Sequence, residues 1–222
     1  MNKFFLSGFL LLAVLTGQIA AVQAQQTSSG GFVPPPGGAP KTTVGGGSRP
    51  AESACLQNST ATTQKLTLLS PSNYIGLTKS DRPTVLIQLP PTTAKNLELS
   101  LFDQQIQGIY QTVIAVNSAS GIMALQMPKT APALLANKPY YWTVALVCNP
   151  SDRTEDLVAG AWIKYVEPST DLKQQLIKAT VVQRINLYAE NGFWYEAIKK
   201  LVELQQAEPN SPALAQVWQN LL

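Results

Sequence analysis

Residues 139–148 read Pro-Tyr-Tyr-Trp-Thr-Val-Ala-Leu-Val-Cys, and they decide the fold class. Tyr140, Trp142, Val144, Leu146 and Cys148 occupy alternate positions, so an extended chain places all five on one face. A helix would scatter them around its axis. Outward from this stretch, the same short apolar texture covers 65–69, 84–89, 97–102, 107–116, 121–127 and 157–165, rich in Val, Ile, Leu, Thr and Tyr. Within 97–102, Leu97, Leu99 and Leu101 alternate with Glu98 and Ser100, as in a half-buried strand. Turn residues separate the runs: Pro90-Pro91, Asn117 to Gly121, Pro128 to Pro139, and Asn149-Pro150-Ser151-Asp152. Seven short strands in about 100 residues, without helical periodicity between them, predict an antiparallel β-sandwich over residues 65–167.

Beyond Pro168 the period changes. Ser169 or Thr170 caps an expected helix running to about Glu190, with Asp171 favouring its positive end and Asn191-Gly192 terminating it. Trp194, Ala197, Ile198 and Leu201 follow the i, i+3, i+4, i+7 spacing of an amphipathic helix. Glu208-Pro209-Asn210 ends that helix, and Ser211-Pro212 opens another with Leu214, Val217, Trp218 and Leu221 on one stripe. The expectation for 168–222 is three helices. They either pack over one end of the sandwich or leave an apolar face open to a partner.

The N-terminus sets the compartment. Lys3 precedes an apolar run from Phe4 to Leu15, and Val22-Gln23-Ala24 offers small residues for cleavage, so residues 1–24 read as a signal peptide. The alternative is an uncleaved anchor, but Thr16, Gly17 and Gln18 interrupt the run. No later segment is apolar for long enough to cross a bilayer, so the expected mature protein is soluble, secreted or periplasmic, without stable membrane insertion. Residues 25–64 read as a flexible leader: between 25 and 50 there are seven Gly and five Pro. Cys55 and Cys148 are the two cysteines in the chain. In an oxidising compartment such a pair is expected to be bridged, the alternative being a reactive thiol that needs a nearby base.

Three resemblances add to this reading. The Tyr-x-Trp-x-Val pattern of Tyr140, Trp142 and Val144 resembles strands of immunoglobulin-like and fibronectin type III-like modules, implying a sandwich of that type. Tyr188, Ala197, Leu201 and Pro209 resemble a single tetratricopeptide repeat, although Val181, Arg184 and Ile185 depart from its pattern. Across the mature chain, Gly37-Gly38-Ala39-Pro40, Thr43-Val44-Gly45-Gly46-Gly47-Ser48-Arg49, Cys55, Leu69-Ser70-Pro71, Gly76-Leu77-Thr78, Arg82-Pro83-Thr84 and Pro139-Tyr140-Tyr141-Trp142 resemble an exported cyanobacterial family known only as a domain of unknown function. That last resemblance implies no activity.

The chemistry suggested by composition is mostly exclusion. With no His and a net charge of +3, the chain lacks the commonest base and zinc ligand and carries no nucleic-acid footprint. There is no Ser-x-x-Lys and no Gly-x-Ser-x-Gly, and the glycines at 45–47 precede neither a helix nor a P-loop lysine. No cofactor or transition metal is expected. Asp152, Glu155 and Asp156, with Arg153 between them, are candidates for calcium or sugar chemistry, against a solvated turn holding an ion pair. Asp81-Arg82 is similarly ambiguous, and Asn58-Ser59-Thr60 is a formal glycosylation acceptor. Phe193-Trp194-Tyr195 is the densest aromatic group. Phe193, Tyr195, Leu201 and Trp218 are the candidate partner-binding residues. The functional expectation is a non-enzymatic extracytoplasmic module that engages another envelope protein, the alternative being a carbohydrate-binding module at cell wall or exopolysaccharide.

Overall fold

A computed structural model describes residues 31–40, 55–57, 65–116 and 120–221. The expected signal peptide and the Asn58 acceptor lie outside them. Eight strands precede four helices: β1 (Thr67–Leu68), β2 (Gly76–Thr78), β3 (Thr84–Leu89), β4 (Asn96–Phe102), β5 (Gly108–Ala115), β6 (Gly121–Gln126), β7 (Pro139–Val147) and β8 (Leu157–Tyr165). The helices are α1 (Thr170–Lys178), α2 (Val181–Glu190), α3 (Trp194–Ala207) and α4 (Pro212–Leu221).

All seven runs read from the sequence form strands. They build two sheets, ordered β1-β3-β6 and β2-β8-β7-β4-β5. The alternation in β7 sets its role: Trp142, Val144 and Leu146 are buried, and their register against Leu101, Leu99 and Leu97 of β4 continues one apolar face. Val85 and Leu125 of the small sheet share an apolar space with Leu99, Leu101, Trp142 and Ile163 of the large one. The sheets therefore bury a common core.

Two corrections follow. The strand count is eight, because β2 pairs with β8, and this pair is parallel where the other ladders are antiparallel. Three residues including a glycine carry no alternation to read. The helix count is four, because the stretch from Thr170 to Glu190 breaks at Ala179, whose backbone is extended (φ −81°, ψ 144°). Thr180 then starts α2 with a reciprocal cap: its hydroxyl accepts from the Gln183 N–H while Gln183 accepts from the Thr180 N–H.

The helical tail is part of the fold. Helix α3 lies against β2 of one sheet and β3 of the other, closing the side of the core between them. Its stripe residues Ala197, Ile198 and Leu201 are fully buried, Ile198 and Leu201 each contributing about 1.5–3 kcal/mol. Tyr195 reaches deepest: its hydroxyl accepts from Trp142 Nε1 at 3.0 Å and donates to the Trp162 carbonyl at 3.2 Å. Burial pushes the Tyr195 phenol pKa well up. Gly76 makes room for this ring, since a Cβ there would stand 2.6 Å from Tyr195 Cε2. Trp194 donates from Nε1 to the Leu69 carbonyl at 2.8 Å.

Of the expected leader, 25–64, residues 31–40 and 55–57 are described. Residues 31–40 form no helix or strand, yet they pack against the tail: Phe32 meets Trp194 edge-on at 4.8 Å, and the Val33 N–H donates to the Ala189 carbonyl at 3.0 Å. Gly192 (φ +77°) leaves space for this strap, because a Cβ would touch Val33 O at 3.3 Å and Pro35 Cδ at 3.4 Å. Cys55 is bonded to Cys148, with Cα atoms 4.9 Å apart. The Cys55 carbonyl accepts from the Thr93 N–H at 2.8 Å and the Thr92 hydroxyl at 2.7 Å, so residues 55–57 are also fixed. Closing 93 residues this way constrains the unfolded chain by about 4–5 kcal/mol in the chain-entropy model.

Candidate functional site

The sequence-derived candidates are placed first by burial. Phe193, Tyr195 and Leu201 are 4%, 2% and 0% exposed, so they offer no surface to a partner. Their apolar or aromatic bulk is already spent closing the core. Trp218 is half-buried and lines a separate groove of about 640 Å³ with Ile122, Val202 and Pro209. The acidic cluster is committed to its own hairpin. Asp152 caps the turn Arg153–Glu155 by accepting from the Thr154 N–H, and this bond with the Thr154 hydroxyl bond lowers its pKa. Asp156 accepts from the Cys148 N–H at 3.3 Å and pairs with Arg153 at 2.6 Å, while Arg153 also reaches Glu98 at 3.2 Å. Among the described residues no group of three potential ligands assembles a metal site.

What the fold does assemble is a charged cleft of about 400 Å³ at the junction of sheet and tail. The turn after β2 supplies one wall. Thr78 Oγ1 accepts from the Ser80 N–H at 3.1 Å, and Ser80 Oγ accepts from the Arg82 N–H at 3.1 Å, which coils residues 78–82 tightly. Arg82 is held further by its bond to the Ala131 carbonyl at 3.3 Å and its pair with Asp81. The other wall is the polar stripe of α3, where Glu196, Lys199, Lys200 and Glu203 recur at i, i+3, i+4 and i+7. Lys199 approaches Thr84 Oγ1 at 3.4 Å and Glu203 at 3.9 Å. Thr84 in turn donates to Gln126.

Glu196 ties the walls together. Its Oε1 accepts from the Thr78 hydroxyl at 2.8 Å and from the Lys79 N–H at 3.0 Å. Its Oε2 is buried and has no hydrogen-bond partner. Burial pushes the Glu196 pKa above the ordinary carboxylate value, opposed by those two bonds, by its own backbone N–H and by the nearby Lys79 charge. Four cations, from Lys79, Arg82, Lys199 and Lys200, thus face two carboxylates, those of Glu196 and Glu203. With Asp81 on Arg82 counted, positive charges exceed negative ones there by one.

Sequence reasoning missed this site. Thr78 and Glu196 are 118 positions apart, and either charged segment alone reads as a solvated surface.

Comparison with solved structures found a beta-glucuronidase from Parabacteroides merdae with glycerol in its active site. It is 10% identical over 46% of this chain and 13% of its own length, at a TM-score of 0.27. A further structure of that enzyme gives 11% identity over the same shares and the same TM-score. The chain thus spans a small part of these proteins, and a likeness at this level bears on neither its fold nor its function. Comparison with curated proteins returned no match. Over residues 44–222 the chain matches the family described as Domain of Unknown Function (DUF928), and it belongs to that family.

Proposed function

We propose that the chain is a non-enzymatic, extracytoplasmic binding module, a sandwich of immunoglobulin or fibronectin type, that recognises an anionic group on an envelope molecule. The observation carrying this reading is the cleft between the turn at 78–82 and α3, with its four cations. The Cys55–Cys148 bridge supports an oxidising compartment, and among the described residues no helix is long and apolar enough to cross a membrane. Pockets of this size take part of a larger ligand, a few polar groups fixing its orientation.

The test is retention on a carboxylated matrix at physiological ionic strength. The wild type is retained, and Lys199→Glu with Lys200→Glu releases it. Lys173→Glu with Lys178→Glu changes net charge equally but lies on α1, so that variant stays bound. Equal behaviour of the two double variants overturns the reading. The groove at Trp218 favours a second reading, docking of an apolar protein segment, which Trp218→Ser abolishes while leaving anion retention intact.

A further inference from the structure

We propose that the protein forms a symmetric dimer in which β5 pairs antiparallel with β5 of a second copy, joining two five-stranded sheets into one. The inference stands apart from the cleft. Strand β5 ends the order β2-β8-β7-β4-β5, and among the described residues no strand pairs with its outer side. That side presents a row of backbone N–H and C=O groups to any extended chain. The other sheet edges are better protected. Strands β1 and β2 are only two and three residues long, and α3 packs against β2. Strand β6 is flanked at Ile122 by residues of α3 and α4. At eight residues β5 is the longest edge, and nothing in it discourages pairing: Gly108 to Ala115 contains no charged residue and no proline, two of the guards that free edges use. Its register against β4 shifts only between Leu101 and Phe102, at the Gly108 end, so residues 110–115 run unbroken.

The strand's own sequence selects a second copy as the occupant. Ile109 and Val113 are 38% and 61% exposed, on the same face with Gln111 between them. Residues directly opposite in an antiparallel pair share a face, so a two-fold axis at Gln111 sets Ile109 of each copy against Val113 of the other. Tyr110 then meets Thr112 on the opposite face. The pattern Ile-x-Gln-x-Val reads nearly alike in both directions, and each exposed apolar side chain gains a β-branched neighbour. An axis at Thr112 would instead set Val113 against Gln111 and Ile109 against Ala115, covering less apolar surface. No like charges meet, because the strand has none. The symmetric pairing consumes both edges, so the assembly closes at two copies.

Sedimentation velocity over about 1–500 μM protein tests this, since two paired strands make an interface of the small, transient class. The wild type passes from monomer to dimer across that range. Val113→Lys weakens the dimer at least about tenfold, because the axis applies the change twice, each lysine facing an isoleucine. Within its own sheet position 113 lies opposite Glu98, so the variant stays folded, as circular dichroism checks. Ile109→Glu weakens the dimer in the same way. Combined in one chain, the two substitutions restore it at low salt to within about threefold of the wild type, because the introduced lysine of each copy meets the introduced glutamate of the other. Within one strand the two positions are about 13 Å apart, too far to pair with each other. Salt at about 1 M removes the rescue. A wild type monomeric throughout, a dimer untouched by either single substitution, an oligomer that grows beyond two, or a double variant no better than the singles each overturns the proposal.

Discussion

Tyr195→Phe removes one oxygen from the centre of the junction between sheets and tail, and its cost follows from the structure. The Trp142 indole loses the acceptor 3.0 Å away and is left inside the core with an unmet donor. The Trp162 carbonyl loses a donor at 3.2 Å. The ring itself stays, so packing against Gly76 is unchanged and no cavity of consequence opens. Leaving a buried donor unsatisfied costs about 1–3 kcal/mol, and a central value of about 2 kcal/mol lowers Tm by roughly 4–8 °C for a chain of this size. Thermal unfolding followed by near-ultraviolet circular dichroism measures this. A double-mutant cycle sharpens it: in a Trp142→Phe background there is no donor to strand, so Tyr195→Phe costs at least about 1 kcal/mol less there. A Tm within a degree of the wild type, or an equal loss in both backgrounds, refutes the argument that this bond closes the core.

Three further outcomes follow from the same physics. Leu201→Asp buries a carboxylate at a position 0% exposed and lowers stability by about 4 kcal/mol, sheets and tail melting together, whereas Ile177→Asp at a 77% exposed position is neutral in the same denaturant titration. Replacing Cys55 and Cys148 by Ser together removes the cross-link and lowers the stability read from urea titration by up to about 4–5 kcal/mol, while thiol titration of the unreduced, denatured wild type finds no free sulfhydryl. Because burial raises the Glu196 pKa in the folded state, the folded protein takes up that proton more readily than the unfolded chain does. Wild-type stability relative to Glu196→Gln therefore rises as pH falls from neutrality into the usual carboxylate range, while Lys79, Arg82, Lys199 and Lys200 stay charged and Glu203 is common to both proteins. A difference that is flat with pH, read from paired melts, contradicts this.

The strands were legible because alternation is a local signal: Leu97, Leu99 and Leu101 name their face without reference to the rest of the chain. The break between α1 and α2 was also written locally, in Thr180-x-x-Gln183, but the longer apolar pattern around it read as continuous. Strand β2 was not legible, since its pairing with β8 spans almost 90 positions and its three residues show no period of their own. The strap at 31–40 illustrates a different limit. Its composition correctly denies it helix or strand, yet Phe32 gives it one aromatic anchor and Trp194 a place to put it. The stripe of α3 announced that something would cover it but not what. The two sheets, the strap and the neighbouring helices α2 and α4 do, and so Phe193, Tyr195 and Leu201 serve the core. The cleft was the least readable feature, because it exists only where Lys79 and Arg82 are brought to Lys199 and Lys200 by tertiary packing. Membership of a family known only as a domain of unknown function, by contrast, was legible in turn and sheet motifs spread along the chain.

The central claim is that the junction formed by docking α3 on the sheets is the recognition element. It is tested most directly by amide chemical-shift mapping of the isotope-labelled protein during titration with a soluble oligocarboxylate. The Lys79 N–H, bonded to Glu196 Oε1, reports on the cleft at its centre. The account predicts saturable shifts confined to residues 78–84 and to the first two turns of α3, with the Lys79 amide among the largest. Shifts centred on Trp218 and Ile122, or none at saturating probe, would contradict it.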